Sequence, residues 1–194
     1  MNQPADIAAF RAALRREKIA ARQALPAADH RQASARILDH LAALLLPRPA
    51  GTIAFCWPVR AEVDCRPLVQ QLIDAGWRAA MPVVVTPAAP MQFRSWQPEA
   101  PMITDRHGIP IPDTAVSKTP DIVLLPLVAY DAAGYRLGYG GGYFDRTLAD
   151  CVTRPLTVGV GFAACAVATI HPEPHDIPPD WIVTELGAKY LDTH

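Results

Sequence analysis

Residues 134–146, G-Y-R-L-G-Y-G-G-G-Y-F-D-R, constrain this chain more than any other segment. An apolar, β-branched run precedes them at 121–128 and reads as a buried strand, and residues 143–151 read as a helix opening. A glycine-rich turn between strand and helix turns backbone N–H groups into a concave surface, because glycine tolerates the crowded and left-handed dihedrals such a turn needs. No Gly-Lys-Ser/Thr closes the segment, so it is not a Walker A loop. Tyr143 stands where a dinucleotide fingerprint would need its last glycine. Glycines alone would fit a flexible hairpin equally well. Arg136 and Arg146 bracket them, however, and Asp145 is able to hold a cation against phosphate oxygens, which points to a nucleotide loop.

With 194 residues, 51% of them hydrophobic and 19% charged, the chain can bury one substantial core, and a single domain over 1–194 is expected. The formal net charge of -1 lacks the usual footprint of a nucleic-acid binder and leaves small anionic ligands open. Cys56, Cys65, Cys151 and Cys165 form no C-x-x-C pair and lie in or beside apolar segments, which fits reduced thiols in a cytoplasmic protein better than zinc or a disulfide framework. Asp6, Arg11, Arg15, Arg16, Glu17 and Lys18 interrupt the apolar core that a signal peptide would have. The longest apolar run, 155–170, is too short to span a bilayer, so no membrane partner is expected.

The twenty prolines fall between periodic segments and punctuate them. Asp6 is placed to cap a helix running to about residue 25, with Ile7, Phe10 and Leu14 on one face. Asp29 is placed to cap a second through Ile37, Leu38, Leu41, Leu44 and Leu45, ended by Pro47. Strands are expected at 52–57, 78–85, 92–96, 121–127, 156–162 and 181–183, with helices at 67–75 and 143–151. Alternating βα units imply an α/β fold with a mainly parallel sheet and helices on both faces, whose ligands sit beyond the carboxyl ends of the strands.

Three further features fit that placement. Arg11, Arg15, Lys18 and Arg22 recur at helical spacing and form one basic stripe, which reads as a solvated face or as a grip on phosphate. Phe55, Cys56 and Trp57 leave a strand end ahead of Glu62 and Asp64. Aromatic rings beside a carboxylate suit a flat heterocycle with N–H donors, and they equally suit core aromatics followed by a helix cap. His171 to Asp176 offers metal-type ligands, but its prolines exclude the one-face helical spacing of a zincin. Asp176 suits magnesium shared with phosphate better than zinc.

Together these motifs resemble the 5-formyltetrahydrofolate cyclo-ligases, also called methenyltetrahydrofolate synthetases. The most specific stretch is L-P-L-V-A-Y-D at 125–131 followed by residues 134–146, which is similar to the family's P-x-x-A-F-D-x-x-G-x-R-L-G-x-G-x-G-Y-Y-D-R almost position by position. Weaker matches are Arg11 to Arg15 for K-x-x-L-R, Glu62-Val63-Asp64 for E-V-D, Val158-Gly159 leading to Phe162, His175-Asp176, and Val183-Thr184-Glu185.

The resemblance implies a single Rossmann-like, three-layer α/β domain with a mixed, mainly parallel sheet. It further implies ATP- and magnesium-dependent conversion of 5-formyltetrahydrofolate to 5,10-methenyltetrahydrofolate, with release of ADP and phosphate. By that resemblance Arg11, Arg15, Arg136, Leu137, Gly138, Tyr139, Gly140, Gly141, Gly142, Tyr143 and Phe144 bind ATP, and Asp145 and Asp176 hold magnesium. Phe55, Cys56, Trp57 and Glu62 line the folate pocket, and Tyr139 and Tyr143 face the junction of the two ligands. Arg136, Tyr139, Tyr143 and Asp145 form the catalytic set. A cytoplasmic monomer acting on a small-molecule folate, with or without a polyglutamate tail, is expected.

Three positions depart from the family pattern: Arg11 stands for lysine, Ile111 for a glutamate and Cys165 for a glutamine. They keep two other readings open, a paralogue acting on a different amide-bearing heterocycle and a non-catalytic folate- or nucleotide-binding protein.

Overall fold

The computed structural model describes residues 4–117 and 119–192. Helices α1 (Pro4–Gln23) and α2 (Ala27–Leu45) lead into β1 (Thr52–Ala54), α3 (Arg66–Asp74), β2 (Arg78–Val83) and β3 (Gln92–Trp96). A hairpin of β4 (Met102–Thr104) and β5 (Pro110–Pro112) follows, then β6 (Ile122–Pro126), β7 (Ala129–Asp131), β8 (Arg136–Leu137) and α4 (Tyr143–Asp150). The chain ends through β9 (Leu156–Val160), β10 (Ala166–Val167), β11 (Trp181–Thr184) and β12 (Gly187–Tyr190). Among the described residues no helix is long and apolar enough to cross a membrane.

The main sheet has the order β12-β11-β9-β6-β1-β2-β3. Its five inner strands are parallel, and β3 and β12 join antiparallel at the edges. All five residues of β6 are apolar, as a strand covered on both faces requires. On one face Ile37, Leu41 and Leu45 of α2 and Leu68, Val69 and Leu72 of α3 meet Ile53, Met81, Leu124 and Val158. On the other face Leu148 of α4 meets Ala54, Val123 and Leu125. The expected three layers are therefore present. Truncating fully buried Leu41 in such a core costs roughly 2–5 kcal/mol.

Chain order reverses between β1 and β6: β1 leads outward to β2, while β6 leads to β9 and β11 on the opposite side. Loops leaving these two strands diverge and open a crevice at their carboxyl ends. Helix α1 takes no part in the two sheet faces. Its Phe10 and Leu14 pack instead on Ala129, Leu137 and Ile170, over the small β10-β7-β8 sheet.

Several local expectations are corrected. Asp6 and Asp29 lie within the first turns of α1 and α2, and Pro26 occupies the N-cap of α2, so these carboxylates sit at the positive end of the helix dipole and make no capping bond among the described residues. The first strand stops at Ala54. Phe55 N–H makes one more bond, to Ala80 O at 3.1 Å, before Pro58 and the left-handed Arg60 and Ala61 (φ 50° and 60°) turn the chain away. The glycines do not follow the buried strand directly either, because the β7–β8 hairpin is inserted between them and Arg136 lies on β8.

Candidate functional site

Two arginines cross the glycine turn, and two of its glycines make room for them. Gly140 has φ 91°, and a Cβ there would lie 3.1 Å from Cζ of Arg15, whose Nε donates to Gly138 O at 2.8 Å. Gly142, with φ 61°, forms the left-handed N-cap of α4, and a Cβ on it would lie 2.9 Å from Nη1 of Arg146. A side chain at either position would be strained by the left-handed backbone and would displace the end of an arginine. The turn thus delivers N–H groups without backbone partners among the described residues to the start of α4, with cations on both sides.

The basic stripe of α1 faces inward. Arg11 is 7% exposed, and its Nη1 donates to Asp176 Oδ2 and Glu173 Oε2, both at 2.9 Å, while Nη2 donates to Asp176 Oδ1 at 3.0 Å. Asp176 also accepts the Glu173 N–H at 2.7 Å. Burial raises the Asp176 carboxyl, but Arg11 and this N–H outweigh it and hold the group below the usual range. Arg15 is lowered from its ordinary value, first by burial and then by neighbouring Arg11, as expected of two guanidiniums crowded where an anion would relieve them. Lys18 alone points aside, to Ala164 O.

The same 173–177 loop is gripped from α4. Asp145 Oδ1 accepts from Arg136 Nη2 at 3.0 Å and from Ile177 N–H at 3.1 Å, and Arg136 Nη1 donates to Ile177 O. Asp145 Oδ2 has no hydrogen-bond partner among the described residues. The structure therefore gathers Arg11, Arg15, Arg136, Asp145 and Asp176 around one turn, although they lie as much as 165 residues apart in sequence.

A second region lies in the crevice. Arg22, Phe55, Cys56, Glu62, Leu124, Pro126 and Phe162 are among the residues that enclose a cavity of about 30 Å³, room for a single water. Glu62 Oε2 accepts the Val59 N–H at 3.0 Å, and Oε1 accepts from the Tyr139 hydroxyl. Burial raises Glu62 above the usual carboxylate range, opposed by Tyr139, the Val59 N–H and Arg22. Burial likewise pushes the Cys56 thiol up, so it is an uncharged wall of the cavity. Phe55 is packed edge-on to Trp96, and Trp57 lies under the Arg66 guanidinium, 4.2 Å from its ring centroid, outside the cavity lining. Tyr143 contacts other residues than Tyr139 does: its hydroxyl accepts from Arg106 Nη2 at 3.0 Å and its ring lies under Arg146.

Residues 7–185 match the model of the 5-formyltetrahydrofolate cyclo-ligase family. The Escherichia coli (strain K12) protein named 5-formyltetrahydrofolate cyclo-ligase is 34% identical over 144 residues, covering 70% of this chain and 78% of that one. The chain belongs to the 5-formyltetrahydrofolate cyclo-ligase family. Solved structures agree in fold. The Aquifex aeolicus 5,10-methenyltetrahydrofolate synthetase superposes with a TM-score of 0.81 at 26% identity over 95% of this chain and 94% of that one. The Mycoplasma pneumoniae enzyme of the same name gives 0.76 at 25% identity over 90% and 98%.

Within a cyclo-ligase frame several motif residues turn out to be structural. Asp131 accepts the N–H groups of Tyr135 and Ile170 and ties the β7–β8 turn to the 170 loop. Glu185 accepts the Ala163 N–H, and Asp64 binds Arg66 through backbone and side chain. Of the departures, Ile111 and Cys165 are buried, whereas Arg11 is the two-pronged clasp on Asp176. Sequence reasoning left Arg22 on the helix stripe. It is 4% exposed and bonded to the Glu62 segment, and its spacing from Arg15 was the available signal.

Proposed function

We propose that this cyclo-ligase family member converts 5-formyltetrahydrofolate to 5,10-methenyltetrahydrofolate with ATP and magnesium, releasing ADP and phosphate. The carrying observation is that a glycine turn flanked by Arg11, Arg15 and Arg136 shares one residue, Tyr139, with the apolar crevice that holds Glu62. One side suits a polyphosphate; the other carries the groups that suit a flat heterocycle with N–H donors, although its cavity of about 30 Å³ has to open to admit one.

The formyl oxygen is an amide oxygen and a poor leaving group. Its attack on the γ-phosphorus expels ADP. The 10-nitrogen then adds to the activated carbon, loses its proton, and phosphate departs as the ring closes. Such transfer asks the protein for positioning and charge cancellation above all. Backbone N–H groups of Gly138 to Gly142 would bind phosphate oxygens, and Arg11, Arg15 and Arg136 would neutralise them. Glu62 would accept N–H groups of the pterin, with Phe55 and Cys56 as its walls.

The donor set fits magnesium. Among the described residues no group of three or more His, Cys, Asp or Glu could hold an ion alone, which suits a cation that takes one or two protein carboxylates and completes its shell with phosphate and water. Asp145 would bind through its free Oδ2, and Asp176 after giving up one prong of Arg11. When bound, the ion would supply cancellation of phosphate charge. The test is the growth of methenyltetrahydrofolate absorbance when protein meets 5-formyltetrahydrofolate, ATP and magnesium. Signal only in the complete mixture is expected, and a flat trace from folded, ATP-binding protein would overturn the substrate assignment.

A further inference from the structure

Arg22 is a nearly fully buried cation with four oxygen neighbours on three different segments. Its Nε donates to Arg60 O at 3.0 Å, Nη1 to Leu127 O at 3.2 Å and Nη2 to the Tyr139 hydroxyl at 2.8 Å, and Nη2 lies 3.8 Å from Glu62 Oε1. Arg60 and Ala61 hold left-handed backbones immediately before Glu62. Non-glycine residues rarely adopt that conformation, and Arg22 clasps one of the carbonyls it presents. A guanidinium has donors only. Tyr139 must therefore accept from Arg22 and spend its own proton on Glu62, which gives the chain Arg22 to Tyr139 to Glu62 a fixed direction.

We propose that Arg22 is a positioning residue for the heterocycle pocket: it holds the Glu62 carboxylate and the Tyr139 hydroxyl as a preformed pair and so governs folate binding rather than nucleotide binding. This rests on the folate reading of the crevice. Phosphate contacts are assigned to Arg11 and Arg15, about three and two turns nearer the start of α1, and Arg15 holds the glycine turn through Gly138 independently of Arg22.

Calorimetric titration of wild type, Arg22→Lys, Arg22→Met, Tyr139→Phe and the Arg22→Met/Tyr139→Phe double variant with 5-formyltetrahydrofolate, and separately with magnesium-ATP, tests it. Arg22→Met is expected to weaken folate binding about 10-fold or more, with ATP affinity held within about 3-fold. Arg22→Lys should recover part of the loss, and adding Tyr139→Phe to Arg22→Met should cost little more, because the two side chains act through one chain of bonds. Additive losses, or folate affinity, ATP affinity and melting temperature falling together, would make Arg22 merely structural and overturn the proposal. If Arg22→Met does not fold, an Arg22→Lys variant with unchanged folate affinity overturns it as well. Wild type that binds ATP but no folate would instead sink the substrate reading itself.

Discussion

The two halves of the site treat their carboxylates in opposite ways. Around the glycine turn, Asp176 is over-supplied with donors and held below the usual carboxylate range by Arg11 against the pull of burial. In the crevice, Glu62 is under-supplied, and burial raises it despite Tyr139, Val59 and Arg22. In the first region each aspartate is paired with an arginine, Asp176 with Arg11 and Asp145 with Arg136. The second holds a carboxylate that still gains from further donors. Both hang on α1, where Arg11 and Arg22 stand about 16 Å apart along the axis. One helix therefore sets the spacing between the proposed phosphate site and the crevice carboxylate.

The largest expected effect comes from the anion side. Asp145→Asn should leave folate binding unchanged while cutting turnover by roughly 10²–10³, the size of loss usual when a group stabilising transition-state charge is removed. Magnesium titration of ATP binding checks the cause: an unchanged magnesium dependence in Asp145→Asn would break the assignment. On the crevice side the pattern should invert. Glu62→Gln should weaken 5-formyltetrahydrofolate roughly 10–100-fold and leave ATP affinity alone, since it removes a charged acceptor facing ligand N–H groups. Full-strength folate binding by Glu62→Gln would dissolve the distinction between the two regions.

How much of this was legible in the sequence follows the same division. The parallel framework could be read because 122–126 and 156–160 are apolar runs bounded by turns, and the strand at 92–96 was placed to the residue. β7 and β8 were not, because strands of three and two residues leave no period to detect, and β12 was missed behind the short turn at 185–186. The stripe of α1 was visible as spacing, but periodicity alone does not say which way a charged face turns. Only the fold brings Glu173 and Asp176 to Arg11, across 162 and 165 residues. Arg22 was legible as part of the stripe but its role was not, because two of its partners are backbone carbonyls, which carry no residue signature.

The smallest effect separates the regions by sign. A carboxylate whose folded pKa is depressed adds stability above its unfolded value, roughly 3.9 for aspartate, and loses that contribution as pH falls through the folded value. Asp176→Asn should therefore lower the melting temperature at neutral pH, with the difference from wild type closing in acid below about pH 4. Glu62 works the other way. Its folded pKa lies above the unfolded value, so its ionisation costs stability at neutral pH, and that cost fades as pH falls through the folded value towards roughly 4.3. Glu62→Gln is thus expected to raise the neutral-pH melting temperature, by no more than about 2–4 °C for a change of ~1 kcal/mol in a chain of this size, while it weakens folate binding. Thermal melts of both variants between pH 3 and pH 8 decide the matter. Shifts of the same sign at neutral pH would mean that burial and the opposing donors balance alike in both places, and that the crevice carboxylate is no more in want of a donor than its counterpart beside the glycine turn.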